Sequence, residues 1–524
     1  GNQRAAALRY LQGFSTVCAA YGLPAVFSIP QTLFFVKNTI FRQQFNASKS
    51  STKPVPAAYC ESGAIFGIMY GLQPVIRRGS THANREGTNM KPYIEMTAEE
   101  LQGELMELKV QYKKVQALGM QLDMSRGKPC QEQLDLSMGM MDVLDSSSDL
   151  TCEDGTDCRN YGQLTGIQEA RELLGDMMEN NPKDIIIYGN SSLNVMFDTI
   201  SRVWTHGVMG NTPWCQLPEV KFLCPVPGYD RHFSITQYFG IKMIPVPMTP
   251  EGPDMDIVEK LVSEDEAIKG IWCVPKYSNP QGISYSDETV RRFARLEPAA
   301  PDFRIFWDNA YGMHHLYDHH QDHLIEILAE CKRAGNPDLV YKFASTSKIT
   351  FPGSGIAAIA TSPNNMEDFL TYLRHQTIGH DKVNQLRHVR FFKDIHGMVE
   401  HMRKHADIIR PKFEMVEQIL KEDLEGLGIG QWANPLGGYF ILFDSLPGCA
   451  KDIVALAKKA GVTMTSAGAT WPYGNDPQDS NIRIAPTYPC LSDLQTAMKI
   501  FTLCVRISGI KKLLADKHHV VVEA

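Results

Sequence analysis

After Tyr161 the chain alternates short β-rich runs with longer stretches of helical period, and this alternation limits its fold more than any other feature. The runs Val220–Cys224, Gly270–Val274, Phe303–Trp307 and Leu339–Phe343 are separated by helical segments. Such spacing predicts an α/β domain, a mostly parallel sheet covered by helices. Upstream, Thr97 and Glu100 form a capping box, Leu101, Leu105, Leu108, Tyr112, Val115 and Leu118 recur at helical spacing, and Gly119 is a stop. From Met402 onward a long helix is expected, then a strand over Gly438–Phe443, then a Ser492-capped helix through Leu503. This reads as a smaller α+β unit. The predicted division is 1–89 as a leader or non-native upstream segment, 90–150 as an N-terminal arm and part of a small domain, 151–400 as a large domain and 401–524 as a small C-terminal domain.

Residues 1–89 stand apart because nine basic residues face only Glu61 and Glu86. A basic, acid-poor stretch suits an organellar leader or translated upstream sequence. For the whole chain, a net charge of −7 and a pI near 6.2 give no general attraction for nucleic acid. Twelve cysteines without a Cys-x-x-Cys pair suit free thiols in a reducing compartment, expected to be the cytoplasm. Cys152 and Cys158 come nearest to a pair, with no histidine close enough to complete a zinc site. No bilayer span is expected, since the apolar stretches are short and broken. The run His314 to His323 contains five histidines, but no ligand quartet with a recognised spacing, so no metal site is expected.

The chemistry-bearing residues fall in an ordered series. Ser278-Asn279-Pro280-Gln281-Gly282 precedes Trp307-Asp308-Asn309-Ala310-Tyr311, then Ser345-Thr346-Ser347-Lys348 leads into the turn Pro352-Gly353-Ser354-Gly355, and Asn481-Ile482-Arg483-Ile484-Ala485 follows. Asn279 lies 29 residues before Asp308 and Lys348 lies 40 after it, room for one strand-helix unit each. Ligands in open α/β sheets sit outside the carboxyl ends of strands, where these residues would gather. Tyr188-Gly189-Asn190-Ser191-Ser192-Leu193 ends another β-like run and opens a helix, whose first amides and hydroxyls suit a phosphate.

These four motifs, over Met90 to about Leu514, resemble the fold-type I, class I aminotransferases. Ser125-Arg126-Gly127-Lys128-Pro129, the Phe351–Gly355 turn and Lys382-Val383-Asn384-Gln385-Leu386-Arg387 are similar to the bacterial subgroup Ic aspartate aminotransferases. The resemblance implies pyridoxal 5'-phosphate (PLP) as cofactor, Lys348 as its Schiff-base lysine, Asp308 on the pyridine nitrogen, and Tyr311 with Asn279 on the ring's 3-oxygen. Asn190, Ser191, Ser192, Ser345 and Ser347 would hold the phosphate, and Tyr229 is the aromatic candidate for stacking on the ring. Tyr161 matches the tyrosine that reaches the neighbouring subunit's phosphate, implying a homodimer with shared active sites. Arg483 matches the arginine that grips the substrate α-carboxylate. Asn279 would touch substrate too, and Arg126 is the candidate for a second carboxylate.

The expected reaction moves an amino group between aspartate or glutamate and 2-oxoglutarate or oxaloacetate. Relatives carry Pro-Gly-x-Arg after the lysine, whereas this chain has Pro352-Gly353-Ser354-Gly355; Arg387, Arg390 and Lys382 are the possible replacements. Two alternatives share the motifs: a lyase or decarboxylase on the same scaffold, and an aminotransferase-like transcriptional regulator. The regulator would need residues 1–89 to be a DNA-binding module, but Pro24, Pro30, Pro54 and Pro56 interrupt them.

Overall fold

The computed structural model describes residues 91–523; the segment 1–89, including the expected leader, lies outside them. A capping box at Thr97 and Glu100 opens the helix Ala98–Ala117, each side chain bonding the other's backbone amide at 3.2 and 2.7 Å. Caps of this kind stabilise a helix by about 1 kcal/mol. Leu101, Leu105, Leu108 and Tyr112 form its buried face, as their spacing requires.

The first strand, β1 (Leu122–Met124), stands outside the main sheet. That sheet is built from β2 (Ile185–Tyr188), β3 (Lys221–Val226), β4 (Lys242–Thr249), β5 (Gly252–Pro253), β6 (Ile268–Cys273), β7 (Arg304–Asp308), β8 (Val340–Ser345) and β9 (Ala357–Thr361). Their order across it is β2-β9-β8-β7-β6-β3-β4-β5. Only β9 and β5 run against the others, so β2, β3, β6, β7 and β8 all end on the same edge.

Neighbouring residues on each strand enter different apolar layers. Phe222, Cys224 and Phe306 pack with Val195, Ile200 and Phe369, while Leu223, Ile305 and Trp307 pack with Val258, Val290 and Phe293. A sheet covered on both faces needs apolar residues at both parities, hence the unbroken runs in the sequence.

A second cluster surrounds β10 (Gly430–Trp432), β11 (Ile441–Ser445) and β13 (Asn481–Ile484), an antiparallel sheet, with the parallel pair β1 and β12 (Val462–Met464) beside it. The helices Ala98–Ala117, Ile395–Leu424 and Leu491–Glu523 cover this cluster. The last helix extends 20 residues past the expected end at Leu503, and it starts before Ser492, with Leu494 N–H donating to the Cys490 carbonyl. Ile500, Phe501, Cys504, Val505, Ile507 and Ile510 keep one face buried and so carry the helix onward. Among the described residues no helix is long and apolar enough to cross a membrane.

Candidate active site

The shared strand edge brings most of the expected residues together. Asp308 is the last residue of β7, and Ser345, the last of β8, leads into Lys348. Ser191 follows β2, Tyr229 follows β3, and Asn279 lies in the turn after β6. This is the crevice position that a parallel sheet offers a ligand.

Asp308 is buried, and its Oδ2 lies 3.0 Å from His232 Nε2. The other carboxylate oxygen, Oδ1, is buried with no hydrogen-bond partner. His232 is held flat against Trp272, with ring centroids 4.4 Å apart and planes 10° apart, while Trp272 Nε1 donates to Thr236 Oγ1 at 2.8 Å. The sequence reading missed His232. Its signal was its place three residues after Tyr229 in the first turn of the helix Asp230–Tyr238, which puts both side chains on one face.

The Lys348 ammonium sits 4.8 Å from the centre of the Tyr311 ring. Burial pushes the Lys348 pKa below the ordinary lysine value, against the opposing pull of the Asp308 charge. Burial also pushes Tyr311 and Tyr229 well above the ordinary phenol range; the Asp308 charge adds to both shifts and the Arg483 charge opposes them. Asp308, Tyr229, Tyr311, Lys348 and Arg483 therefore belong to one electrostatic cluster.

Arg483 projects from β13, its Nη1 donating to Asp230 Oδ1 at 3.0 Å and to Asn279 Oδ1 at 3.1 Å. Its guanidinium lies 4.7 Å from the centre of the Phe440 ring. A Cβ on Gly127 would come within 2.4 Å of that ring, and Thr465, 3.4 Å from Arg483 Nη2, donates to the Ser125 carbonyl at 2.7 Å. The 125–128 segment thus adjoins Arg483, but the Arg126 guanidinium itself is exposed and bonds to no described residue.

On the far side of Lys348, Ser191 caps the helix Ser192–His206 by accepting from Leu193 N–H at 3.2 Å. Ser345 Oγ is 3.5 Å from Ser192 Oγ and 3.1 Å from Ser347 Oγ, and Ser347 donates to the Asn190 carbonyl at 3.2 Å. Asn190 Nδ2 donates to the Pro352 carbonyl at 3.3 Å, tying the helix start to the Pro-Gly-Ser-Gly turn. Gly355 is needed in that turn, since a Cβ there would lie 2.9 Å from Thr346 Oγ1 and 3.1 Å from the Asn190 carbonyl.

Of the three possible replacements for the missing turn arginine, Arg387 reaches the turn. Its Nη2 donates to Ser354 Oγ at 2.8 Å and its Nε is buried without a partner. Lys382 instead donates to the Gly162 carbonyl at 3.1 Å. Tyr161, next to Gly162, is 81% exposed. The histidine run of 314–323 is irregular and divides, with His314 buried and His319, His320 and His323 exposed.

The family description "Aspartate amino-transferase" matches residues 96–517, most of the chain. The chain belongs to the aspartate aminotransferase family. An aspartate aminotransferase of Corynebacterium glutamicum is 42% identical over 407 residues, which is 77% of this chain and 93% of that protein. The crystal structure of an aspartate transaminase from the same species superposes with a TM-score of 0.79 at 40% identity, covering 81% of this chain and all of that one. At 16% identity, the α-aminoadipate aminotransferase of Thermus thermophilus, crystallised with N-(5'-phosphopyridoxyl)-L-leucine, shares the fold, with a TM-score of 0.60 over 81% of this chain and 96% of that one. The chain is thus an aminotransferase of fold type I.

Proposed function

We propose that the protein transfers an amino group from aspartate or glutamate to 2-oxoglutarate or oxaloacetate, using PLP held at Lys348. The observation that carries this reading is the buried Asp308 carboxylate with one oxygen bound to His232 and the other unpartnered. A buried acceptor without a donor fits a ligand that brings a charged N–H, as a protonated pyridine ring does. When bound, PLP supplies an aldehyde that combines with amines and a ring that withdraws electrons from the substrate α-carbon.

Asp308 Oδ1 would hold the proton on the ring nitrogen, and His232 fixes the carboxylate's direction. Tyr311, kept protonated by its raised pKa, and Asn279 would donate to the ring's 3-oxygen, with Tyr229 beside the ring. Ser191, Ser192, Ser345, Ser347, Asn190 and the first amides of the helix Ser192–His206 would hold the phosphate. Lys348 Nζ, its pKa lowered by burial, would take the proton from the substrate's α-carbon and deliver it to the cofactor's C4′ carbon. Arg483 would grip the α-carboxylate, and Arg126 the distal one.

Residues 151–400 would form the cofactor-binding domain, and 90–150 with 401–524 the smaller one. The exposed Tyr161 suits contact with a second copy, hence a homodimer with shared sites. The ten described cysteines are free, which suits a reducing compartment such as the cytoplasm.

The test is an absorbance spectrum of the purified protein. A visible-edge band should collapse on adding L-aspartate and return with 2-oxoglutarate. Release of ammonia or CO2 in step with the amino acid consumed would instead favour a lyase or decarboxylase.

Arg387 would replace the missing turn arginine at the phosphate. Arg387→Gln should then weaken PLP binding to the cofactor-free protein at least about tenfold, as loss of a charge-assisted hydrogen bond does. Binding of pyridoxal, which lacks the phosphate, should stay unchanged in the same titration. Equal loss for both ligands would mean that Arg387 only braces Ser354.

A further inference from the structure

Behind the Lys348 loop runs a chain of buried hydrogen bonds that none of these roles uses. It begins at Cys130, whose backbone N–H donates to Gln133 Oε1 at 3.2 Å. With its oxygen so engaged, the Gln133 amide turns its nitrogen the other way, donating to the Tyr439 hydroxyl and to His405 Nδ1, each at 2.9 Å. An accepting Nδ1 leaves the imidazole proton on Nε2, which faces His401 Nε2 at 3.0 Å. The Tyr439 oxygen, having accepted from Gln133, directs its own proton to the Lys348 carbonyl at 3.4 Å. His401 Nε2 lies 2.9 Å from the Ile349 carbonyl, and the Ser137 hydroxyl closes the cluster, 3.3 Å from that nitrogen and 3.4 Å from the same carbonyl.

Gln133, Ser137 and Tyr439 are wholly buried, and His401 and His405 are nearly so. Apolar side chains of the same volume could fill this space, so what the polar groups add is direction. That direction is constant near neutral pH. Burial pushes His405 down to about 3, helped by His401, and burial likewise lowers His401, so both rings remain neutral. His314, also kept neutral by burial, packs edge-on to both Tyr439 and Tyr311, with centroids 5.5 and 5.6 Å away. The Tyr439 ring is thereby confined between the network and the tyrosine next to the Lys348 amine.

We propose that Gln133 is a positioning residue for Lys348: through the Tyr439 hydroxyl it fixes the Lys348 carbonyl and so the direction in which the amine projects. This rests on the reading of Lys348 as the residue that holds the cofactor. It also makes the segment that follows Arg126 part of the lysine's support, because Gln133 lies in the short helix Gln131–Asp135 directly after it.

The test uses the full-length, cofactor-loaded protein and the variants Gln133→Met, near in shape but without donors, and Tyr439→Phe, which keeps the ring and removes only the hydroxyl. Each should lower kcat per loaded site at least tenfold, leave KM for the amino donor within twofold, and at least halve the circular dichroism of the cofactor's visible band. That band reports the orientation of the bound ring, which a packing role would not change. A lower melting temperature with kcat per loaded site and the dichroic band intact overturns the proposal. If Gln133→Met does not fold, Tyr439→Phe decides by the same criteria. A wild-type protein with no visible band after incubation with PLP would overturn the functional reading itself, and this inference with it.

Discussion

Lys348→Ala should abolish turnover, lowering kcat by roughly 10⁴-fold or more, the upper end of what a positioned proton-transfer group supplies. One nitrogen is asked to do two jobs, holding the cofactor and moving the α-proton, and no neighbouring group can replace it. Tyr311 and Tyr229 are driven by burial toward pKa values too high to act as bases near neutral pH. His314 is buried, and burial holds its pKa well below the ordinary imidazole value, so it is a weak base near neutral pH. The environment of Lys348 also predicts a direction in pH. Burial disfavours its ammonium form, so the neutral amine is populated from a lower pH than in a free lysine, and activity should persist below pH 10. Single-turnover measurements with L-aspartate, followed by the loss of the visible band, give the comparison. A Lys348→Ala protein that keeps more than about one hundredth of the wild-type rate would remove Lys348 from the reaction, since such a loss is within reach of ordinary positioning effects.

Much of this site was legible because it rests on local rules applied at strand ends. The unbroken apolar runs marked β3, β6, β7 and β8, and the residues at or shortly past their ends, Tyr229, Asn279, Asp308 and Lys348, come together once those strands run in parallel. Thr97 and Glu100 identified a helix start from a three-residue spacing alone. The features that escaped depend on contacts distant in sequence. Gln133 meets His405 across 272 positions and Tyr439 across 306, and a lone buried glutamine leaves no periodic trace. His232 was overlooked for the same reason, since its partner Asp308 lies 76 residues away. The end of the last helix was misjudged differently. The helix passes through Gly509, where a Cβ would lie 3.2 Å from the Ile429 side chain, and the apolar face continues on either side. Residues 1–89 carried a compositional signal and lie outside the described residues.

Replacing Arg483 should produce the second large effect, and its geometry specifies which kind. The guanidinium's Nη1 is committed, shared between Asp230 and Asn279, while Nη2 has only the long contact to Thr465 and Nε is buried without a partner. The open Nε–Nη2 edge is the pair of parallel donors that a carboxylate accepts bidentately. Lysine at this position would offer one rotating ammonium group, and would also lose the contact that the guanidinium makes over the Phe440 ring. Losing one of the two charge-assisted hydrogen bonds costs about 1.5–3 kcal/mol. Converted at 1.36 kcal/mol per decade, this is roughly a 10- to 150-fold fall in kcat/KM for Arg483→Lys. The substrate carboxylate is unchanged in charge as the α-proton leaves, so the bond is made equally in the ground and transition states. The loss should therefore appear mainly as a higher KM, with kcat at saturation altered much less. A primary amine lacking the α-carboxylate provides the internal control, because its slow reaction with the cofactor should be the same in wild type and variant. If Arg483→Lys leaves KM for aspartate unchanged and lowers kcat alone, the open edge of Arg483 is not where the carboxylate binds.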